Sequence, residues 1–324
     1  MPPEQATIRT YATSANLGPL FDMAGAKIDG LYMTTSGQLT TTLGLTIVRS
    51  NGRYPIPMDE TNIAHKVATA LFRDYELDGG LALEVANDMK PGGLGTSGAG
   101  AVAVMEIINY LHQLNLTTEQ KIKYASLGEP NQHLDNVVPC IIGGVVLISW
   151  KRNQNAYEKL GSLPGITPAI VIPYDSIKSG GTAQARKVLE GLAFNEEEEE
   201  EEKYKSNLRS LMVSGLRTSN FNEILEAITK DNSWGKSVTS VRNGLGIYGI
   251  DINYLNNSLK AAAGQEAVLT PSGAGPAMLI LAKSPKAAEK SVKAVTDAYA
   301  SSGKKAEGLV TSFRDTSSED DFVE

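Results

Sequence analysis

Ten residues in the first third of the chain, Pro91-Gly92-Gly93-Leu94-Gly95-Thr96-Ser97-Gly98-Ala99-Gly100, constrain the fold more than any other stretch. Glycine reaches backbone conformations closed to other residues, so such a run can bring several peptide N–H groups to one point. Small residues continue through Ala101 and Ala103, which predicts a closely packed helix over 96–114. The exposed N–H groups and the dipole at the start of that helix favour an anion. Thr96 and Ser97 add hydroxyls that can donate to a phosphate or ligate magnesium. A phosphate-bearing ligand is therefore the first functional expectation. Gly93, Gly95 and Gly98 also match the spacing of a dinucleotide loop. That motif needs a strand after its helix, with an acid about 20 positions on. Here 113–121 is polar and leads into another helical pattern. The GxxxxGK[ST] loop and the HRD and DFG triplets of protein kinases are absent.

Charge and composition exclude several other classes. The chain has 324 residues, which suggests about two domains. Its 41% apolar and 21% charged content is that of an ordinary globular protein. Seven consecutive glutamates at 196–202 account for the whole net charge of −7, so the remainder is balanced. No basic field favours nucleic acid, and the acidic run is expected to be a solvated loop. The longest apolar run, 137–150, is interrupted by Pro139, Gly143 and Gly144 and falls short of the roughly 18 residues a bilayer span needs. No membrane association is expected, and the opening MPPEQATIRT lacks the pattern of a signal peptide. A single cysteine, Cys140, excludes an internal disulfide and a thiolate zinc cluster. It sits in an apolar run and is expected to be buried and inert. A cytoplasmic location is the expectation.

Periodicity supplies the elements. Strands are predicted at 6–11, 45–49, 81–85, 143–150, 169–172 and 278–282. Helices are predicted at 62–75, 96–114, 118–128, 183–192, 204–214, 221–229, 252–263 and 285–301. A polar turn is expected at 13–19, a domain boundary in the polar stretch 151–157, and a frayed end at 317–324.

Four ordered segments resemble the GHMP small-molecule kinases, and among them the homoserine kinases. They are Ser14-Ala15-Asn16-Leu17-Gly18-Pro19-Leu20-Phe21-Asp22, the glycine loop, His133-Leu134-Asp135-Asn136-Val137-Val138-Pro139-Cys140-Ile141-Ile142-Gly143-Gly144, and Ser272-Gly273-Ala274-Gly275-Pro276. Departures are Leu20 for a glycine, Thr96 and Gly98 for serine and alanine, Ala274 for serine, and the acidic run, which has no counterpart. The resemblance implies an α+β, two-domain GHMP kinase fold. A nucleotide-binding domain would occupy 1–155, a ferredoxin-like domain 156–312, and an acidic tail 313–324.

The resemblance also implies roles. ATP would lie on Pro91, Gly92, Gly93, Leu94, Gly95, Thr96, Ser97, Gly98 and Ala99, with Asn62 near the adenine. Ser97 and Glu129 would hold Mg²⁺. Asp22 would meet a substrate ammonium; Asn16, His133, Arg186 and Arg242 would meet its polar groups and carboxylate. Asn136 would hold the attacking hydroxyl, with Thr182 and Arg186 completing the catalytic set. An amide cannot take a proton, so catalysis would rest on positioning and charge stabilisation. The implied reaction is phosphorylation of L-homoserine by ATP to O-phospho-L-homoserine, in threonine biosynthesis. A kinase for mevalonate or a sugar, and a non-catalytic nucleotide-binding regulator, stay open as alternatives, as does a homodimer.

Overall fold

A computed structural model describes residues 3–129, 132–151, 154–174, 199–244 and 246–323. The chain divides into two compact units. The first comprises Met1–Thr13, Gly25–Gly161 and Arg314–Glu324; the second comprises Ser14–Ala24 and Ser162–Phe313.

The first unit is built on a sheet of six strands, β1 (Gln5–Ala15), β2 (Ala24–Thr40), β3 (Gly44–Asn51), β4 (Gly80–Asn87), β5 (Val145–Lys151) and β6 (Gln154–Gly161). Their order is β3-β4-β2-β5-β6, with β1 also paired to β2. β2 runs antiparallel to β4, and β3 parallel to it. Among the described residues four helices accompany the sheet: α1 (Ala64–Asp74), α2 (Thr96–Leu111), α3 (Thr118–Ser126) and α4 (Val137–Ile142). α2 is buried on nearly every side, and its neighbours α1, α3 and α4 pack against it. Its small residues allow that close approach. Thr117 and Gln120 form a reciprocal capping box at the start of α3.

Several expectations need correction here. The expected polar turn at 13–19 begins later, because β1 continues through Ala15. α1 starts at Ala64 rather than at residue 62. The polar stretch 151–157 is no linker: β6 pairs antiparallel with β5 from Gln154 onward. Polar side chains are compatible with a strand at the end of a sheet. The expected frayed end is docked. Phe322 bridges to Ile8, Val323 N donates to Thr7 O at 2.8 Å, and the Phe322 ring lies 4.8 Å from that of Tyr110. Asp321 pairs with buried Lys27 at 2.5 Å and with Arg314 at 2.9 Å. Glu319 pairs with Lys121, which also meets buried Glu106 at 3.0 Å. Buried lysines require anionic partners, and the acidic end of the chain supplies them.

The second unit holds β7 (Thr167–Pro173), α5 (Glu199–Thr218), α6 (Phe221–Ser233), α7 (Val238–Gly244), α8 (Ile252–Ala263), β8 (Ala267–Pro271), β9 (Met278–Ala282), α9 (Pro285–Ser301) and β10 (Ala306–Val310). The sheet order β10-β7-β9-β8 is antiparallel throughout. Among the described residues four helices stand between β7 and β8, and the strand order and antiparallel pairing are those of a β-α-β-β-α-β, ferredoxin-like layer with added helices. α8 and α9 pack together and onto the sheet. Ile252, Leu255, Leu259, Val295 and Tyr299 meet Val171, Leu269 and Ile280 in the core. Ser284 caps α9 through Ala287 N, and Pro285 occupies its first turn. The last four glutamates of the acidic run are not a loop but the first turn of α5, where negative charge favours the helix dipole. The predicted helix 183–192 lies outside the described residues.

Candidate active site

In the first unit the glycine loop joins β4 to α2 through positive-φ glycines: Gly92 at 125°, Gly93 at 93° and Gly95 at 61°. Gly95 is the N-cap of α2 and has no side chain to satisfy the helix N–H groups. The loop also needs glycine there for space. A Cβ on Gly95 would lie 1.9 Å from Thr13 Oγ1 and 2.8 Å from Asn136 Oδ1. Thr13 ties two motifs together. Its backbone N donates to Leu94 O at 3.1 Å, and its hydroxyl donates to Asn136 Oδ1 at 2.8 Å. With Oδ1 engaged, Asn136 offers its NH₂ group to a ligand.

Ser97 Oγ donates to Glu129 Oε1 at 2.6 Å. Glu129 is only 7% exposed. Burial raises its carboxyl above the usual range, opposed by the Ser97 hydroxyl and the charge of His133. A buried carboxyl beside a hydroxyl at a helix N-terminus is suited to a hard cation, whose charge would restore its ionised form. The Thr96 hydroxyl is buried with no protein hydrogen-bond partner, as expected of a donor directed to a ligand. A Cβ built on Gly98 would lie 3.2 Å from Asn136 Cβ and 3.3 Å from Glu129 Oε1. His133 is buried just before α4, and Asn136 is the N-cap of that helix. Ser97, Glu129, Asn136 and the loop are therefore brought together in one unit, with His133 close enough to act on Glu129. Cys140 is buried, and its thiol is pushed up to about 12 by burial, so it is inert at neutral pH.

Asn62 uses its amide locally: Nδ2 donates to Pro57 O at 2.7 Å and Oδ1 accepts from Ala64 N at 3.0 Å. Its capping bond is thus present although Ile63 is the formal N-cap.

A second cluster lies in the second unit. Asn16, Leu17 and Asp22 all take positive φ, at 75°, 46° and 58°, around Gly18 at 77°. Three non-glycine residues in that region within seven positions mark a strained turn held by its surroundings. Asn16 holds it, accepting from Asp22 N at 3.1 Å and donating to Gly273 O at 3.0 Å. Gly273 N in turn donates to Ala15 O at 3.0 Å, and Ser272 Oγ to Ser14 Oγ at 2.8 Å. Arg242, on α7, donates from Nη1 to the same Gly273 O at 3.1 Å and stacks over Phe21 at 5.5 Å. The early turn, the 272–276 loop and Arg242 are therefore one assembly, 3% exposed at the guanidinium residue. Thr182 and Arg186 lie outside the described residues. Thr13 escaped the sequence reading. It lies one position before the first motif, and nothing local distinguishes it from any other strand threonine.

The chain is similar to several known proteins. Residues 62–144 match the model of the GHMP kinases N terminal domain. A homoserine kinase of Methanopyrus kandleri is 34% identical over 172 residues, covering 52% of this chain and 56% of that protein. This chain thus spans little more than half the length of that relative. A homoserine kinase of Leifsonia xyli subsp. xyli is 28% identical across 86% of this chain and 81% of its own. A crystal structure of homoserine kinase from Cytophaga hutchinsonii superposes with a TM-score of 0.83 at 21% identity, covering 97% of this chain and 96% of that one.

Proposed function

For a chain carrying the N-terminal domain and the fold of the GHMP kinases, we propose that the activity is ATP-dependent phosphorylation of the side-chain hydroxyl of L-homoserine. The observation that carries the reading is the convergence in one unit of a glycine loop, a hydroxyl–carboxyl pair (Ser97 and Glu129) and an amide (Asn136) locked by Thr13. When bound, Mg²⁺-ATP would supply the phosphoryl group and neutralise its developing charge. Thr96, Ser97 and the loop N–H groups would hold the phosphates. Ser97 and Glu129 would hold the metal, as the buried, partnerless Thr96 hydroxyl and the raised Glu129 carboxyl suit. Asn136 would donate to the homoserine hydroxyl oxygen and orient it. That oxygen forms the new bond to phosphorus while the bond to the ADP oxygen breaks, and the hydroxyl proton passes to solvent. No side-chain base is required, because the transition state is largely dissociative. Arg242 and Arg186 would face the substrate carboxylate, and Asp22 its ammonium. A mevalonate acceptor has no ammonium to offer Asp22.

The test is a coupled ADP-release assay with homoserine, mevalonate, galactose and no acceptor. Homoserine-dependent release supports the reading. Release with another alcohol alone replaces the acceptor. Mg²⁺-ATP binding without transfer to any of them replaces the kinase with a nucleotide-binding regulator.

A further inference from the structure

A cavity of about 350 Å³ opens in the second unit. One part of its lining is the turn of Asn16 and Arg242 described above. The other part has no role in the proposed reaction. There α5 and the segment after α6 present Lys205, Arg209 and Lys236 around Trp234. Lys205 also lies over the Trp234 ring at 5.8 Å. Three cations beside an indole form a wall that attracts an anion with an apolar body. Among the described lining residues Asp231 is the one carboxylate, and it is buried and accepts from Thr239 at 3.0 Å.

The acidic run reaches the same cations. Glu201 pairs with Lys236 at 2.8 Å, and Glu202 with Arg209 at 3.4 Å and Lys205 at 3.9 Å. Neither glutamate lines the cavity. Lys236 and Glu202 are 60% and 49% exposed while Glu201 and Lys205 are 19% and 14% exposed, so each pair has one solvent-facing partner and is partly screened and weakened. Weak pairs can exchange their acid for another anion at little cost.

We propose that this wall binds a small organic anion, a carboxylate or phosphate on an apolar body, and that Glu201 and Glu202 set its affinity by competing for Lys205, Arg209 and Lys236. The acidic run is then a built-in competitor, which accounts for strong charge placed at the first turn of α5. The proposal does not rest on the kinase reading, because none of these five residues is assigned to phosphoryl transfer.

Tryptophan fluorescence tests it, since Trp234 lines the cavity and the chain has two tryptophans. The full-length protein is titrated at low ionic strength with succinate and, separately, with inorganic phosphate. A saturable response is expected that disappears in Trp234→Phe. Glu201→Gln/Glu202→Gln should tighten binding by about 3–10-fold, the effect of removing three weak competing pairs. Arg209→Ala/Lys236→Ala should weaken it by at least about ten-fold. The arm with the tighter binding identifies carboxylate or phosphate as the preferred head group. A response that survives Trp234→Phe but is lost in Ser97→Ala places the anion at the glycine loop and overturns the proposal. So does an unchanged affinity in the double glutamine variant, or the absence of any saturable response.

Discussion

Gly95→Ala probes the link between the glycine loop and the acceptor amide. Two costs follow from the geometry. At φ 61° an alanine sits in the left-handed region, which costs about 1–2 kcal/mol. Its Cβ would also lie 1.9 Å from Thr13 Oγ1, so the hydroxyl must leave and its bond to Asn136 is lost, a further ~1 kcal/mol. With some overpacking strain the sum is about 2–4 kcal/mol of stability. Turnover should fall more than stability suggests, because Asn136 loses the partner that orients it. Urea unfolding followed by circular dichroism measures the first effect, and ADP release with homoserine measures the second. Thr13→Ala/Gly95→Ala separates the two causes. Removing the obstructing hydroxyl relieves the steric part, so the double variant should be more stable than the sum of the singles by about 1–2 kcal/mol. A Gly95→Ala protein with unchanged stability and turnover, or strictly additive single variants, would refute the reasoning.

Ser97→Ala should leave the fold intact and lower turnover by about 10²–10³, the typical effect of losing one charge-stabilising group; circular dichroism and steady-state kinetics check both halves. Arg242→Leu should raise KM for homoserine far more than KM for ATP, and equal effects on both would remove it from the substrate side. Lys27→Met leaves the buried Asp321 carboxylate with Arg314 as its remaining ion-pair partner and should cost about 1.5–3 kcal/mol, read by urea unfolding, with earlier proteolysis of the C-terminal segment. Asp231 has its pKa raised to about 6, by burial and against the Thr239 hydrogen bond. Between pH ~4 and about 6 the unfolded chain ionises this group while the folded one keeps its proton, so stability falls as pH rises, by up to about 3 kcal/mol. Asp231→Asn should flatten that slope in unfolding curves taken across the window.

Local chemistry made much of the chain readable. α8, α9 and β9 were predicted with the bounds they have, because amphipathic spacing, Ser284 with Pro285 and a short apolar run are all local signals. The glycine loop and its helix were legible for the same reason: a conformational need and the residue that meets it share a position. β2 was not. Its 17 residues contain Lys27, Thr35 and three glycines that break any alternation. It is nevertheless a central strand, because Lys27 is neutralised by Asp321 from the far end of the chain. The expected frayed end, in turn, was misread because acidity looks solvated until its buried lysines are known. The candidate site divides along the same line. The sequence by itself determined which residue types could bind phosphate and where their loop lies. Only the tertiary structure set Thr13 against Asn136, Ser97 against Glu129, and Arg242 against the Asn16 turn. Those partners are separated by up to 257 positions, and closing such distances depends on strand order and packing that no local pattern encodes.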